Sequence, residues 1–407
     1  MAASSCWRHD AALVSNYNRD MPDANNPLSP VRFVPGDADR APQEGIALCL
    51  SGGGYRAMLF HLGALWRLNE LAYLPRLARI SSVSGGSITA GMLGFKWNRL
   101  AFDGAGVAGR LRDEVIDPIR AMAGTTIDVK DVVIGFLTPG TVAEHVANSY
   151  RQHLFGDVTL QDLPDNPRFV INATSVQSGA LWRFSKLYMG DWRVGLVKNP
   201  AVPLAVAVGA SSAFPPVLSP VRLDLRPFTF EPGSGADLQI EPYTAEAILT
   251  DGGVYDNLGL ETAFKNYLTV LVSDGGGHMA AAPDPHTDWP RHALRVNDLI
   301  DNQVRDLRQR QLIGSFVQQE RTGTYWATRS NLPKNYPAPG ALPCPFAATQ
   351  QLAAVPTRLA AIEAAVQEQL INWGYAICDA AMRLHVEENA APPAGFPYPA
   401  AGVGASV

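Results

Sequence analysis

Residues 45–68, GIALCLSGGGYRAMLFHLGALWRL, change character twice along their length. The run from Gly45 to Leu50 is short and apolar, as expected of a strand buried in a parallel sheet. Three glycines follow at 52–54, and from Met58 onwards the apolar residues recur with the period of a helix. This stretch therefore predicts a strand, a glycine turn and a helix in succession.

The same unit occurs again directly downstream. Residues 77–83, LARISSV, are strand-like, SGGS forms the turn, and residues 88–100 carry a helical pattern. Two consecutive strand–turn–helix units favour a right-handed parallel arrangement, so we predict an α/β fold with a mainly parallel central sheet. Further strands are predicted at 168–176, 245–253 and 268–277, and a buried helix at 201–214.

The chain divides into four predicted segments. Residues 1–44, rich in Asn, Asp and Pro, indicate an extended leader, and residues 45–277 form the α/β core. Residues 278–388 are predicted to be a helical extension that packs on the core. Residues 389–407, which include APPAGFPYPAAGVGASV, are typical of a disordered tail.

Two helices are predicted within the extension. Around residues 296–316 the apolar residues fall on one helical face, and residues 357–386 repeat the pattern. We interpret both as amphipathic helices whose apolar faces pack on the core. The first face consists of Val296, Leu299, Ile300, Val304 and Leu307, and the second of Leu359, Ile362, Val366, Leu370 and Trp373.

Composition excludes several functional classes. Of the 407 residues, 47% are apolar and 17% charged, which predicts a large buried core. The net charge of −5 and the lack of a Lys/Arg run argue against a nucleic acid polymer as partner. The four cysteines show no metal-binding or disulfide spacing. No secretory signal or 18-residue apolar run occurs, so we expect a cytoplasmic protein that can bind a membrane peripherally.

The serine-rich stretch 81–91, SSVSGGSITAG, contains the candidate nucleophile. A serine exposed on a sharp strand-to-helix turn needs small residues two positions before and after it. Ser84 meets this requirement with Ser82 and Gly86. Ser82 and Ser87 each have a β-branched residue at one of these positions, so Ser84 is the best candidate.

The glycines at 52–54 are candidates for stabilising an oxyanion. They lie where a helix begins, so unpaired backbone N–H groups collect there without side chains to cover them. Such a loop also suits a phosphate, but GGGYR matches neither GxxxxGK[ST] nor GxGxxG, which makes nucleotide binding the weaker interpretation. Arg56, two residues on, fits either a contact with a substrate phosphate or an ion pair within the fold.

The residues alone leave two kinds of candidate for the general base. A histidine is the usual partner of a hydrolytic serine, and His278 in SDGGGH is the histidine in a comparable strand-end context. A carboxylate is the alternative. Asp251 ends the apolar run LTDGG, where it could reach a neighbouring strand end, and Asp274 has the same local pattern.

Taken together and in order, these motifs resemble the patatin-like phospholipase family. They are GGGxR, then SxSGGS, then DGG with Asn257 shortly after, and 210–220, ASSAFPPVLSP, resembles the family's block between serine and aspartate. The resemblance extends over residues 45–277. Ser82 stands where the family pattern GxSxG has its first glycine.

This resemblance implies a three-layer α/β/α fold and a Ser–Asp dyad. By analogy, Ser84 is the nucleophile, Asp251 the base, and Gly52, Gly53 and Gly54 the oxyanion hole. The strand that ends at Asp274 corresponds to a non-catalytic strand of the family, which favours Asp251. The implied activity is hydrolysis of phospholipid acyl esters at a membrane surface through an acyl-enzyme, with no cofactor and no metal.

Two other functions remain open at this stage. A Ser–His–Asp esterase acting on soluble esters would require His278. A phospholipase effector triggered by a small-molecule activator, as in bacterial relatives that respond to cyclic nucleotides in antiphage defence, would use residues 278–407 for control. Trp182, Phe184 and Trp192 fit either an interfacial patch or a half-buried strand pair.

Overall fold

The computed structural model describes residues 41–127, 142–277 and 279–404. Most of the expected leader and the candidate base His278 lie outside these ranges. All described residues belong to one compact unit that begins at Ala41.

Strands and helices alternate at first, as the sequence predicts. Within the described ranges the strands are β1 (Gln43–Leu50), β2 (Leu77–Val83), β3 (Arg168–Ser175), β4 (Leu181–Phe184), β5 (Tyr188–Asp191), β6 (Gly195–Lys198), β7 (Val221–Asp224), β8 (Glu246–Asp251), β9 (Tyr267–Asp274) and β10 (Thr322–Ala327).

The helices vary from one turn to eight turns in length. They are α1 (Gly54–Glu70), α2 (Gly85–Lys96), α3 (Asp117–Ala123), α4 (Val142–Tyr150), α5 (Leu204–Ser211), α6 (Gly253–Asp256), α7 (Glu261–Phe264), α8 (Trp289–Val317), α9 (Leu332–Asn335), α10 (Phe346–Ala353) and α11 (Ala364–His385). Short 3-10 turns lie at Leu74–Arg76, Trp97–Arg99 and Leu160–Asp162, and π-helical turns at Arg112–Ile116 and Arg151–Phe155.

One sheet, flanked by helices, contains all ten strands, in agreement with the predicted α/β fold. Its main order is β10-β9-β1-β2-β3-β4-β5-β6, and β8 pairs with both β3 and β7. The strands from β10 to β3 are parallel, as predicted from the repeated strand–turn–helix unit. The remaining pairs are antiparallel.

Strand β3 brings two other strand ends together. β2 pairs with its first part and stops where Val83 faces Asn172. β8 pairs with its last part, where Asp251 faces Ala173. Since β4 pairs with the opposite edge of β3, β8 and β2 share the remaining edge, and β8 pairs with the part of β3 that extends beyond the end of β2. The sequence suggested that Asp251 could reach a neighbouring strand end; in the structure β8 runs antiparallel to β3, and its end meets the end of β2.

The C-terminal extension joins the core through α11, which packs along α1. The two backbones approach so closely that a Cβ at Gly63 would overlap Ile371 O and a Cβ at Gly374 would overlap Phe60 O. A buried ion pair between Arg67 and Asp379, at 2.8 Å, also joins the two helices. The helix predicted at 357–386 begins only at Ala364.

Residues 389–404 differ from the expected disordered tail. The Asn372 side chain donates hydrogen bonds to Tyr398 O at 2.8 Å and to Gly402 O at 2.7 Å. Val403 is buried, and Phe396 and Tyr398 pack against the core. These apolar side chains give a proline-rich segment enough surface to bury against α11 and its neighbours.

Helix α8 corrects the expectation that its apolar face packs on the core. Its buried residues are Arg305, Leu312 and Ser315, whereas Ile300 and Leu307, on the predicted core face, are exposed. No helix in the described ranges is both long enough and apolar enough to cross a membrane. The predicted apolar face of α8 is therefore not part of the hydrophobic core.

Of the two interpretations of Trp182 and Phe184, the strand pair fits the structure and the interfacial patch does not. Both side chains are buried in the core, and β4 pairs with both of its neighbours. The pair is buried more deeply than the half-buried pair that the sequence suggested.

We predict that Gly374→Ala destabilises the protein because the new methyl group forces α11 away from α1. Overpacking of this kind costs about 1–3 kcal/mol. Gly314→Ala, on α8, is the control: a Cβ there meets no atom within 4 Å, so the free energy of unfolding should stay the same or rise by up to about 1 kcal/mol. Urea unfolding of both variants measures the difference, and equal stability would contradict the close approach of α1 and α11.

Candidate active site

Ser84 occupies a strained turn between β2 and α2. Its backbone has φ 51° and ψ −121°, a left-handed conformation that non-glycine residues rarely adopt. Ser84 is 8% exposed, whereas the other serines of the stretch, Ser81, Ser82 and Ser87, are 0% exposed. The turn thus presents one hydroxyl of the four, and it is the one that the small-residue pattern selects.

The glycines beside Ser84 allow the turn to press against the first glycine loop. A Cβ at Gly85 would overlap Gly54 O, and a Cβ at Gly86 would overlap Leu50 O. The Gly86 N–H also donates to Ser51 O at 3.1 Å. Side chains at either position would push the two loops apart, so the sequence SGG is needed for their contact.

Ser211, which the sequence did not identify, fixes the Ser84 backbone. Its hydroxyl oxygen accepts a hydrogen bond from Ser84 N at 3.0 Å and its O–H donates to Asn172 O at 2.6 Å. Ser87 Oγ lies 2.9 Å from Ser211 Oγ and donates to Ser82 Oγ at 3.0 Å. The serine-rich stretch is therefore a polar support for the turn, and ASSAF at 210–214 was its only sequence signal.

The glycine loop offers two free N–H groups beside Ser84. Gly53 and Gly54 have φ values of 139° and 61°, which glycine adopts without strain. Within residues 41–127, 142–277 and 279–404, neither N–H has a hydrogen-bond acceptor. Gly52 differs from the expectation, because its N–H donates to Asn257 O at 3.0 Å. Gly52 therefore supports the loop, and Gly53 and Gly54 can bind an oxyanion.

Asp251 carries a buried carboxylate with one free oxygen. The residue is 3% exposed, and Oδ1 accepts a hydrogen bond from Gly253 N at 2.7 Å. Oδ2 has no hydrogen-bond partner among the described residues. Burial raises the pKa of Asp251 to about 7, although the Gly253 N–H and the Ser84 hydroxyl lower it. Such a carboxylate can accept a proton near neutral pH.

The contact between Ser84 and Asp251 is close but incomplete. The Ser84 hydroxyl affects the pKa of Asp251 as a hydrogen-bond donor does, yet no hydrogen bond within 3.5 Å joins it to Oδ2. Catalytic hydrogen bonds are often long in enzymes without substrate and shorten when substrate binds.

Asp274 is engaged in a structural network instead. Its carboxylate accepts hydrogen bonds from Tyr325 Oη at 2.6 Å and Gly276 N at 2.8 Å, and pairs with Arg329 at 3.0 Å. Burial alone would raise the pKa of Asp274, but Arg329 and Arg305 outweigh it and hold the pKa below the usual range. Because both carboxylate oxygens of Asp274 have partners, Asp251 is the better candidate for the base.

His61 is a core residue rather than a base. Its Nε2–H donates to Ser51 O at 2.9 Å, which leaves Nδ1 to accept from the Ser273 hydroxyl at 2.8 Å. Burial lowers the pKa of His61 to about 4, so the ring stays neutral. His278, the histidine that the sequence offers as a candidate base, lies outside the described residues.

Arg56 is placed to hold loops together, not to meet a substrate phosphate. The residue is 2% exposed. Its guanidinium donates to Gly275 O at 3.1 Å, to Thr357 Oγ1 at 2.9 Å and to Val355 O. These contacts join the first turn of α1 to the loop after β9 and to the C-terminal extension. They are hydrogen bonds to neutral oxygens, so among the described residues Arg56 has a structural role without the ion pair that the sequence suggested.

No metal centre is evident in the described ranges, where no group of three or more His, Cys, Asp or Glu side chains is arranged to hold an ion. The local chemistry consists of a strained serine, a buried carboxylate and two free N–H groups.

Comparison with known proteins gives one family. The model of the patatin-like phospholipase family matches residues 48–264, just over half of the chain. Human GIVD cytosolic phospholipase A2 has a similar fold, with a TM-score of 0.50 and 14% identity. The match covers 83% of this chain and 62% of the human one, so this chain spans about three fifths of that protein's length.

VipD from Legionella pneumophila also matches, with a TM-score of 0.31, 15% identity, and coverage of 83% of this chain and 67% of that chain. No curated relative matches the chain at a significant level.

We predict that Asp251→Asn makes the protein more stable at pH 8 than the wild type. The folded-state pKa of about 7 exceeds the unfolded value of about 3.9. Between these values the folded protein binds more protons, so the wild-type free energy of unfolding falls as the pH rises, by up to about 4 kcal/mol. Asparagine lacks this titration.

Urea unfolding of both proteins at pH 5 and pH 8 measures this effect. The stability difference should be larger at pH 8. A difference independent of pH would mean that Asp251 is not a buried carboxylate with a raised pKa.

Proposed function

This chain belongs to the patatin-like phospholipase family, and we propose that it is a lipid acyl hydrolase of the phospholipase A type that uses a Ser84–Asp251 dyad. The observation that carries the proposal is the buried, unpaired Oδ2 of Asp251 beside the strained turn that presents Ser84. Leaving a buried carboxylate oxygen unpaired costs free energy, which a fold maintains where the oxygen has a function.

Acylation begins when Asp251 Oδ2 takes the proton of Ser84 Oγ. The oxygen attacks the ester carbonyl carbon, and the N–H groups of Gly53 and Gly54 bind the resulting oxyanion. When the tetrahedral intermediate collapses, the ester C–O bond breaks and the protonated Asp251 gives its proton to the lysolipid alkoxide. The acyl group remains on Ser84.

Deacylation repeats these steps with water. Asp251 takes a proton from the water molecule that attacks the acyl carbonyl carbon, and the oxyanion again binds Gly53 and Gly54. The acyl–oxygen bond to Ser84 breaks, Ser84 Oγ recovers the proton from Asp251, and the fatty acid leaves.

The typical rate contributions of a general base and of oxyanion donors fit the roles proposed for Asp251 and for Gly53 and Gly54. A positioned base contributes about 10²–10⁴-fold, most efficiently when its pKa lies near the working pH, and that of Asp251 is about 7. Each oxyanion donor contributes about 2.7–4 kcal/mol. Because Gly53, Gly54 and Ser84 lie on loops in mutual contact, the donors are preorganised relative to the nucleophile.

We predict that Ser84→Ala and Asp251→Asn each lower kcat for phospholipid ester hydrolysis by about 10³-fold or more, because each removes a reacting group. Ser87→Ala is the matched serine control and should retain measurable hydrolysis, since Ser87 only supports the turn. Fatty acid release from mixed micelles measures kcat, and circular dichroism checks the fold.

Asp274→Asn is the matched carboxylate control. It should lower the midpoint of thermal unfolding because it weakens the pair with Arg329, while the folded fraction keeps most of its kcat. Full activity in Ser84→Ala, or loss of kcat in folded Asp274→Asn with Asp251→Asn active, would refute the dyad.

A further inference from the structure

The base turn, residues 252–257 directly after the candidate base, contacts both halves of the candidate active site. At its start, the Gly253 N–H donates a hydrogen bond to Asp251 Oδ1 at 2.7 Å. At its end, Asn257 O accepts the hydrogen bond from Gly52 N at 3.0 Å, which holds the oxyanion loop. The base turn therefore positions the carboxylate and the oxyanion loop together.

The Asn257 side chain fills the space between these two attachments. A Cβ at Gly52 would lie 2.3 Å from Asn257 Oδ1, and a Cβ at Gly253 would lie 3.0 Å from the same atom. The Cβ at Gly52 would also lie 3.3 Å from Ser84 Cβ. Because close-packed contacts transmit displacements, a shift of the base turn would disturb the oxyanion loop and the turn that presents Ser84.

The base turn contains a second buried carboxylate, that of Asp256. The residue is 1% exposed. Its Oδ1 accepts a hydrogen bond from Leu258 N at 3.2 Å, and its Oδ2 accepts one from Glu261 N at 2.6 Å. Burial raises the pKa of Asp256, and Arg308 is the strongest influence that lowers it. A buried charge without a partner would destabilise the turn that carries it.

Arg308 of helix α8 supplies the compensating charge. Its Nε lies 3.6 Å from Asp256 Oδ1. One terminal nitrogen donates to Glu261 Oε2 at 2.9 Å, and the other donates to Tyr255 O at 3.3 Å. The guanidinium also lies over the Tyr255 ring, 5.7 Å from its centroid. Arg308 thus holds the base turn through a side chain and through the backbone.

We propose that Arg308 is a positioning residue for the hydrolase: its charge holds the base turn, and the base turn keeps Asp251 and the oxyanion loop in their reacting positions. The proposal rests on the proposed function, because it takes Asp251 as the base. Helix α8 follows residues 48–264, which the family model matches. The C-terminal extension would therefore be part of the catalytic machinery.

A purely structural ion pair is the alternative role for Arg308. Its loss would then lower the stability of the protein without changing the rate of the folded enzyme. The location of its partners favours positioning, since Tyr255 and Asp256 lie within the base turn, between its attachments to the base and to the oxyanion loop. A misplacement of about 1 Å in a catalytic group can lower a rate about 10²-fold.

The test compares substitutions on α8 in the full-length protein. Arg308→Met removes the charge and keeps an unbranched side chain, and Arg308→Gln takes its place if that variant does not fold. Arg308→Lys keeps the charge. Arg310→Met is the matched control, because Arg310 is exposed and forms no ion pair or hydrogen bond with any residue that the structure describes. Circular dichroism and thermal unfolding monitor the fold.

We expect Arg308→Met to lower kcat for phospholipid in mixed micelles by at least about tenfold. Its KM should stay nearly unchanged, because no group that binds substrate is removed. Arg308→Lys should keep more of the activity than Arg308→Met, and Arg310→Met should match the wild type. The rate of fluorophosphonate labelling should follow the same order, since it also requires activation of Ser84.

Amide hydrogen exchange measures the same positioning without turnover. In Arg308→Met, peptides that contain Gly52 or the base turn should exchange faster than in the wild type, because the hydrogen bond from Gly52 N to Asn257 O opens more often. Peptides from β5 and β6, at the far edge of the sheet, should exchange at the wild-type rate.

Equal kcat and equal exchange in Arg308→Met and the wild type would overturn the proposal. A lower midpoint of thermal unfolding with unchanged kcat in the folded protein would also overturn it, in favour of a structural ion pair. A wild type that hydrolyses no phospholipid, combined with faster exchange at Gly52 in Arg308→Met, would support the link from Arg308 to the oxyanion loop and refute the proposed function instead.

Discussion

The pairing of β3 with two opposed strand ends is the constraint on which the site depends. β2 ends opposite Asn172 and β8 ends opposite Ala173. Adjacent residues of β3 therefore position Ser84, which directly follows β2, and Asp251, the last residue of β8. Around this junction Ser211 Oγ donates to Asn172 O, and Thr174 Oγ1 donates to Asp251 O at 2.8 Å. A Cβ at position 252 would overlap Asn172 O, so a glycine has to follow Asp251.

The same junction explains the electrostatics of the candidate dyad. Asp251 is buried where β8 meets the end of β2, and the Gly253 N–H satisfies one of its oxygens. Burial raises its pKa more than the Gly253 N–H and the Ser84 hydroxyl lower it. Asp274 is equally buried but pairs with arginine and tyrosine side chains, and its pKa is lowered. Two carboxylates in similar local sequences thus differ in chemistry because of their partners.

The local features of the fold could be predicted from sequence, whereas the partners of each side chain could not. Glycine turns between strand and helix patterns predicted β1, α1, β2 and α2, and small residues around Ser84 singled it out. The preference for Asp251 over Asp274 came from family resemblance, because Tyr325 and Arg329 lie far along the chain. Helical periodicity likewise located α8 but gave no information on whether its apolar face is buried, and that face is largely exposed.

The most direct measurement is labelling of the wild-type protein with a fluorophosphonate, followed by tandem mass spectrometry of the tryptic peptides. The proposed mechanism predicts one phosphonylated residue, Ser84, with labelling that falls as the pH drops below the pKa of Asp251, which is about 7. A label on another serine of the stretch, or a folded protein that reacts nowhere, would contradict the assignment of Ser84 as the nucleophile.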